Sequence, residues 1–161
     1  MKRILKTGAL IALIVLTGAT AFAAEKAQTI PPEHLANYWL LVSGTARQAN
    51  VPNNGRNLDA PTCAAVSYIV EKDGSTSNIE LKKLVPDGDL GKVAIGIVRD
   101  MQFVAAPQNA GKTPVYTYVV MPFNLPSATS TNPAEQTQRK QVLDACKLEG
   151  FGGKEMVIPV R

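Results

Sequence analysis

The sequence predicts an α+β protein in which helices pack on an antiparallel sheet. Apolar and polar residues alternate over 64–71 and 76–85, on either side of Asp73-Gly74. A helical spacing of apolar residues follows over 90–101, and an unbroken strand-forming run occupies 114–125. A period of two is typical of half-buried strands, and a spacing of three and four is typical of helices. A charged fraction of 19% and a hydrophobic fraction of 45% exclude a disordered chain.

The first 23 residues have the pattern of a signal peptide. Three basic residues within the first six precede an apolar run from Ala9 to Leu16, and residues 21–23 form an A-x-A cleavage site. We therefore expect export to the periplasm of a Gram-negative bacterium. Cleavage removes three of the 17 basic residues, which leaves 14 against 13 acidic ones, so the basic composition no longer indicates nucleic-acid binding. The alternative is an uncleaved anchor, because residues 4–24 are just long enough to span a bilayer.

Cys63 and Cys146 are the two cysteines of the chain. In an oxidising compartment two cysteines predict one disulfide, and a loop of this length stabilises the fold by up to about 4–5 kcal/mol. The alternative is a pair of buried free thiols. Two cysteines and one histidine are too few for a zinc cluster, so we expect no metal and no cofactor.

The segment after the leader predicts a helix and a loop. Pro31-Pro32 suits the start of a helix that runs from Glu33 to about Gln48, with Glu33 favourable in the first turn. Apolar residues spaced mostly by three and four define its buried side: Leu35, Tyr38, Trp39, Leu41 and Val42. Residues 50–61 are rich in Pro, Asn and Gly and predict a loop.

Residues 64–71 and 76–85 predict a β-hairpin around a two-residue Asp73-Gly74 turn. A turn centred on these two residues places the following residues opposite each other on the two strands: Tyr68 and Ile79, Val66 and Leu81, Ser67 and Glu80, and Ala65 and Lys82. The first two pairs form an apolar face and the last two a largely polar one. This division predicts a sheet that is covered on one side.

Three further elements follow in the second half of the chain. Asp87 or Asp89 caps a helix over 90–101, although the Val and Ile content of that segment would also suit a strand. In the strand over 114–125, Pro122 cannot donate a ladder hydrogen bond, which predicts an edge or an exit. Asn132-Pro133-Ala134-Glu135 predicts the start of a helix to about Leu148. A short strand is predicted over 156–160.

Three segments, in this order and spacing, resemble the TonB C-terminal domain family. Ala64–Asn78 resembles the first hairpin of the family, and Ile97–Ala106 is similar to its helix end, usually written A-V-R-x-W-R-F-x-P-A. Gly111–Phe123 is similar to G-x-P-V followed by V-x-P-I/F. The chain then divides into a signal peptide (1–23), an N-terminal helix and loop (24–62), a TonB-like domain (63–125) and a C-terminal extension (126–161).

The sequence also departs from the family pattern. Ala60-Pro61-Thr62-Cys63 stands where the family has Tyr-Pro, and Met101-Gln102 replaces Trp-Arg. The leader carries no histidine of the kind that faces the proton-channel complex in full energy transducers, and no long Pro-rich segment follows it.

The resemblance implies a protein-interaction module. The family domain binds an extended segment of an outer-membrane receptor as an added strand, which is β-augmentation. Carried over, the binding edge comprises Val115, Tyr116, Thr117, Tyr118, Val119, Val120 and Met121. Three alternatives stay open. Tyr116 and Tyr118 pack as ordinary strand aromatics, or residues 156–160 close the edge of a self-capped structural or inhibitory protein, or an uncleaved leader makes an anchored transducer variant.

An enzyme is not expected. The only histidine, His34, lies near the start of the first predicted helix, as a surface or capping residue. The motifs S-x-x-K, G-x-S-x-G and H-E-x-x-H are absent from the sequence. Asp87-Gly88-Asp89 lacks the other ligands of a calcium loop. We therefore expect a protein or peptide partner, and neither nucleic acid nor, with the leader cleaved, a membrane.

Overall fold

The computed structural model is an α+β fold, as predicted, and describes residues 27–46 and 51–151. The predicted signal peptide and the predicted strand over 156–160 lie outside these residues. A four-stranded sheet has the order β1-β6-β3-β4, and a second sheet pairs β2 with β5. The strands are β1 (Gln28–Thr29), β2 (Trp39–Leu41), β3 (Thr62–Val70), β4 (Thr76–Val85), β5 (Phe103–Ala105) and β6 (Val115–Phe123). The helices are α1 (Leu90–Asp100), α2 (Pro133–Ala145) and two 3₁₀ helices, Pro32–Asn37 and Pro107–Asn109.

The β3–β4 hairpin forms as predicted, but its turn has three residues rather than two. The Glu71 N–H donates to the Ser75 carbonyl and the Gly74 N–H to the Glu71 carbonyl, both at 2.9 Å. Gly74 has a φ of +85°, a conformation that glycine adopts without strain. The strand pairing next to the turn is therefore one residue out of the predicted register.

Two irregularities in β4 then move the register again. A bulge at Asn78, whose φ is +47°, brings Ser67 opposite Glu80 and Val66 opposite Leu81, as predicted. The predicted pair of Tyr68 and Ile79 falls at this bulge and does not form. A second shift places Ala65 opposite Lys83 instead of Lys82.

The main core lies between the sheet and α1. One face of β3 and β6 contributes alternate residues, and α1 contributes a stripe at helical spacing, which confirms a helix there rather than a strand. α1 lies close to β4 at Gly91, where a Cβ would lie 2.6 Å from Leu81 Cδ2, so a larger residue would have to push the Leu81 side chain aside. The helix members of this cluster are Leu90, Val93, Ala94, Ile97 and Val98.

The opposite face of the sheet is also covered, so the prediction of a one-sided sheet is wrong. A second cluster on this face joins Cys63 and Ala65 of β3 with Tyr118 and Val120 of β6. Val142, Leu143, Leu148 and Phe151, from α2 and the segment after it, pack against this cluster. Of the polar residues in the predicted pairs, Glu80 and Lys82 belong to β4, which contributes no residue to this cluster, whereas Ser67 belongs to β3 and is fully buried.

The predicted helix over 33–48 is wrong. A 3₁₀ helix ends at Asn37, and Trp39–Leu41 forms β2, which pairs antiparallel with β5. The aromatic and aliphatic run over 38–42 has a high strand propensity, and Phe103–Ala105 supplies its partner. Leu35 and Trp39 are buried as the helical spacing predicted, whereas Leu41 is 37% exposed.

Asn132 caps α2 as predicted, since its side-chain oxygen accepts the Ala134 N–H at 3.0 Å. Asp89 occupies the N-cap position of α1, but its carboxylate bonds elsewhere: it accepts the Arg56 backbone N–H at 2.9 Å. Within the described ranges, every helix is too short or too polar to cross a bilayer.

Candidate functional site

Strand β6 contains the predicted binding edge and runs through the centre of the sheet. It pairs with β3 without a register shift from Val115 opposite Val70 to Phe123 opposite Thr62. Its sequence, V-Y-T-Y-V-V-M-P-F, carries no charge. Lysines, prolines and bulges are the usual protection of an edge strand. β6 has neither lysine nor bulge, and its one proline, Pro122, lies near its end. The outer side of β6 therefore needs a cover from the same chain or from a partner.

Strand β1 covers the beginning of this outer side. Its register is parallel, with Gln28 beside Val115 and Thr29 beside Tyr116. The Gln28 N–H donates to the Pro114 carbonyl at 3.0 Å, and the Ile30 N–H donates to the Tyr116 carbonyl at 2.9 Å. The side chains of Gln28 and Thr29 are exposed. The chain thus adds a short extended segment to β6, largely through main-chain bonds.

Strand geometry shows which further residues of β6 direct their backbone groups to its outer side. The N–H and C=O of one residue point the same way and the direction alternates, so Val120 and Pro122 share the outward direction of Tyr116. Pro122 lies where no ladder donor is needed, in agreement with the edge that its position predicted. In the part of the chain that the structure describes, β1 is the one strand on this side.

The predicted edge is largely buried. Six of the seven residues over 115–121 are at most 3% exposed, and Tyr116 is half-buried. The Phe151 ring lies 5.2 Å from that of Tyr116 and 4.8 Å from that of Tyr118, centroid to centroid. Both tyrosines thus pack against the C-terminal extension as strand aromatics, which is the alternative that the sequence left open.

The other sheet edge, β4, is protected against strand addition. Its pairing with β3 shifts twice, and Lys82 and Lys83 lie exposed along it. Bulges and lysines both discourage another strand from pairing. The outer side of β6 beyond the two-residue β1 therefore has the properties of a recognition strand, and β4 does not.

The predicted disulfide joins Cys63 to Cys146, with a Cα–Cα distance of 6.1 Å. Both cysteines are fully buried in the second cluster. Cys63 lies in β3 opposite Pro122 of β6. The bond therefore fastens the end of α2 to the sheet face behind the candidate edge.

An apolar pocket, which the sequence did not predict, lies between β2, β5 and β3. Its volume is about 190 Å³, and it is lined by Leu35, Ala36, Trp39, Leu40, Leu41, Tyr68 and Phe103. Burial raises the pKa of the Tyr68 hydroxyl well above its usual range, so the group stays protonated. The predicted hairpin places Tyr68 on its apolar face, but the incorrectly predicted helix over 33–48 did not indicate the β2 wall of the pocket.

The charged residues His34, Asp87 and Asp89 take part in surface ion pairs and hydrogen bonds. His34 is on the surface beside Glu33. Asp87 pairs with the Arg56 guanidinium at 2.8 Å, and hydrogen bonds from Arg56 N–H and Lys92 lower the pKa of Asp89. Within residues 27–46 and 51–151, no group of His, Cys, Asp and Glu is arranged to hold a metal ion.

Neither the family models, nor the curated proteins, nor the solved structures include a match to this chain.

Proposed function

We propose that this protein is an exported protein-interaction module that binds an extended peptide by strand addition on β6. The observation that carries the proposal is β1, because the chain's own Gln28–Thr29 already lies on that edge as an added strand. Main-chain bonds supply most of the affinity in this mode, and they place few demands on the peptide sequence. The partner that the TonB resemblance implies is a segment of an outer-membrane receptor or another envelope protein.

Strand β1 is the part of the chain that a partner peptide would replace. It is two residues long, its side chains are exposed, and two backbone hydrogen bonds flank it. The two hydrogen bonds contribute about 1 kcal/mol each. Ile30, which donates the second bond, is also buried in the main core, so the exchange of β1 costs more at this residue than at Gln28 and Thr29. A longer peptide that extended along β6 toward Val120 would form more bonds than β1 does, and it would also have to displace the groups that bury Val120.

The test weakens β1 without altering the core. Gln28→Pro removes the N–H that donates to Pro114, whereas Gln28→Ala keeps it and is the matched control. The probe is a fluorescently labelled peptide with the sequence of residues 27–32, A-Q-T-I-P-P, followed by fluorescence anisotropy. We expect Gln28→Pro to bind the probe about five-fold more tightly than the wild type or Gln28→Ala, since one hydrogen bond no longer competes.

Competition then identifies the partner class. Peptides that copy the periplasm-facing segments of outer-membrane receptors are added to the complex of Gln28→Pro and the probe. Displacement of the probe supports binding at β6. A folded Gln28→Pro protein that binds neither the probe nor any such segment would falsify strand addition at this edge.

A self-capped structural or inhibitory protein is the second candidate. The burial of six of the seven residues over 115–121 favours it, because a buried edge offers no groups to a partner. In that case hydrogen exchange at the Tyr116 amide, which lies beside β1, is slow in the wild type and stays equally slow in Gln28→Pro. Strand exchange instead requires faster exchange at this amide in Gln28→Pro.

A further inference from the structure

The outer side of β6 beyond β1 is buried, although the described part of the chain has no strand there. Strand β1 pairs as far as Tyr116, whose carbonyl accepts the Ile30 N–H at 2.9 Å. Further along, Val120 directs its N–H and C=O to the same side, yet the whole residue is 0% exposed. Its side chain packs in the second cluster, on the face of the sheet, and this packing does not cover backbone groups at the edge.

The Val120 backbone groups therefore need partners. Buried backbone N–H and C=O groups are nearly always hydrogen-bonded, because an unbonded group has lost its water without replacement. The ladder with β3 lies on the other side of β6. The 3₁₀ helix Pro32–Asn37 also lies against β6, but among the described hydrogen bonds none joins it to Val120. The missing partner has the geometry of another strand.

The C-terminal extension leads to this edge. After α2 the chain lies beside β4, where the Lys83 ammonium donates to the Lys147 carbonyl. Its described part ends at Phe151, whose ring packs against Tyr116 and Tyr118 of β6, at centroid distances of 5.2 and 4.8 Å. The extension thus crosses the face of the sheet from β4 to β6, and residues 152–161 continue from the side of the open edge.

We propose that residues 156–160, Met-Val-Ile-Pro-Val, form a strand on the outer side of β6 beyond β1 and compete there with a partner peptide. This inference rests on the function proposed above, because it identifies a segment of the same chain that regulates the same edge.

This segment has the composition and the reach of an added strand. Its residues carry no charge, like those of β6, and three of them are β-branched. Residues 152–155 connect it to Phe151 and span up to about 13 Å, which equals the length of β6 from Tyr116 to Val120. The connection begins with two glycines, which allow the chain to turn from the face of the sheet to its edge.

Pro159 determines which residues of the segment face β6. Proline has no N–H, so in an added strand it takes a position whose backbone points away from the neighbouring strand. Because the direction alternates, Ile158 and Val160 direct their N–H groups to β6, and Val157 directs its N–H away. A proline at 158 therefore removes a hydrogen bond to β6, whereas a proline at 157 does not.

The test compares Ile158→Pro with its matched control, Val157→Pro, in the full chain. Hydrogen exchange at the Val120 amide should be slow in the wild type and in Val157→Pro. In Ile158→Pro it should be at least about five-fold faster, which is the effect of one lost hydrogen bond. Equal protection of the β3 amides in all three proteins shows that the sheet stays folded.

A peptide in solution measures the competition. The probe is a fluorescently labelled peptide of residues 154–161, K-E-M-V-I-P-V-R, followed by fluorescence anisotropy. Its dissociation constant should be at least about five-fold lower for Ile158→Pro than for Val157→Pro, because the chain's own segment no longer occupies the edge. The inference is wrong if the two variants exchange at Val120 at the same rate, or if they bind this probe equally.

Failure of this inference and failure of the proposed function give different results. If Gln28→Pro binds the probe of residues 27–32 while Ile158→Pro behaves as the wild type, the peptide site on β6 stands and the inference about residues 156–160 falls. If Ile158→Pro binds the probe of residues 154–161 and no receptor segment displaces that probe, residues 156–160 close the edge and the partner proposed above is wrong.

Discussion

Removal of the Cys63–Cys146 disulfide should detach α2 from the sheet while the sheet itself stays folded. The perturbation is the double variant Cys63→Ala/Cys146→Ala, compared with the oxidised wild type. No residue of α2 is fully buried, and its attachment depends on the disulfide and on the half-buried apolar side chains of α2 and the segment after it. An isolated helix of this length is marginally stable in water, so α2 has little order of its own.

The magnitude follows from the loop that the disulfide closes. For a sequence separation of 83 residues, the loop-closure entropy corresponds to about 4.5 kcal/mol at room temperature. Each half-buried Val, Leu or Phe contributes about 1 kcal/mol, from half of the value for full burial. The loss of the disulfide is therefore comparable with all the remaining apolar contacts of α2 together.

Two measurements check this prediction. Guanidinium unfolding should show a loss of about 2–5 kcal/mol in the double variant. Hydrogen exchange should show lost protection in α2, with protection retained in β3 and β6. Val142→Ala, which keeps the disulfide, is the control and should cost about 1 kcal/mol without exposing the α2 amides. Protected α2 amides and an unfolding free energy within 1 kcal/mol of the wild type would refute the reasoning.

Three further substitutions test local features by denaturant unfolding. Gly74→Ala should cost about 3 kcal/mol, since its Cβ would meet a β5 carbonyl oxygen at 1.9 Å, while Gly44→Ala, with a similar positive φ and open space, should cost about 1 kcal/mol. Asp89→Asn should be less stable than the wild type at pH 7. The hydrogen bond from the Arg56 N–H lowers the pKa of Asp89 in the folded protein. The stability difference is therefore present above the ordinary pKa of an aspartate, and it should vanish as the pH falls through the lowered pKa of Asp89. Asn132→Ala should destabilise α2 by about 1 kcal/mol through the lost cap.

The elements that the sequence predicted correctly have local determinants. The hairpin carries its own turn residues, α1 has a complete apolar stripe, and α2 begins with an Asn-Pro cap. The disulfide followed from the number of cysteines and the expected compartment. For the hairpin, α1 and α2, the spacing of residues within one segment is sufficient information.

The features that the sequence did not predict depend on contacts with residues far away in the chain. Strands β1 and β2 have two and three residues, too short for any periodicity, and each exists because a distant strand pairs with it. The second apolar face of the sheet was not predicted, because the residue pairing of a hairpin describes two strands and this face also includes β6. The pocket was hidden for a similar reason, since its walls come from four separate segments.

Two parts of the chain lie against β6, and they are attached to it in different ways. β1 lies on its edge and is held by hydrogen bonds that can exchange, whereas α2 and Phe151 lie against its face and are fastened by a covalent bond. A partner strand therefore has to displace β1 and can leave α2 in place. Gln28→Pro should increase peptide binding without exposing the α2 amides. The double cysteine variant should expose those amides without removing β1. If the cysteine variant alone bound the peptide, the binding surface would be the face of the sheet rather than its edge.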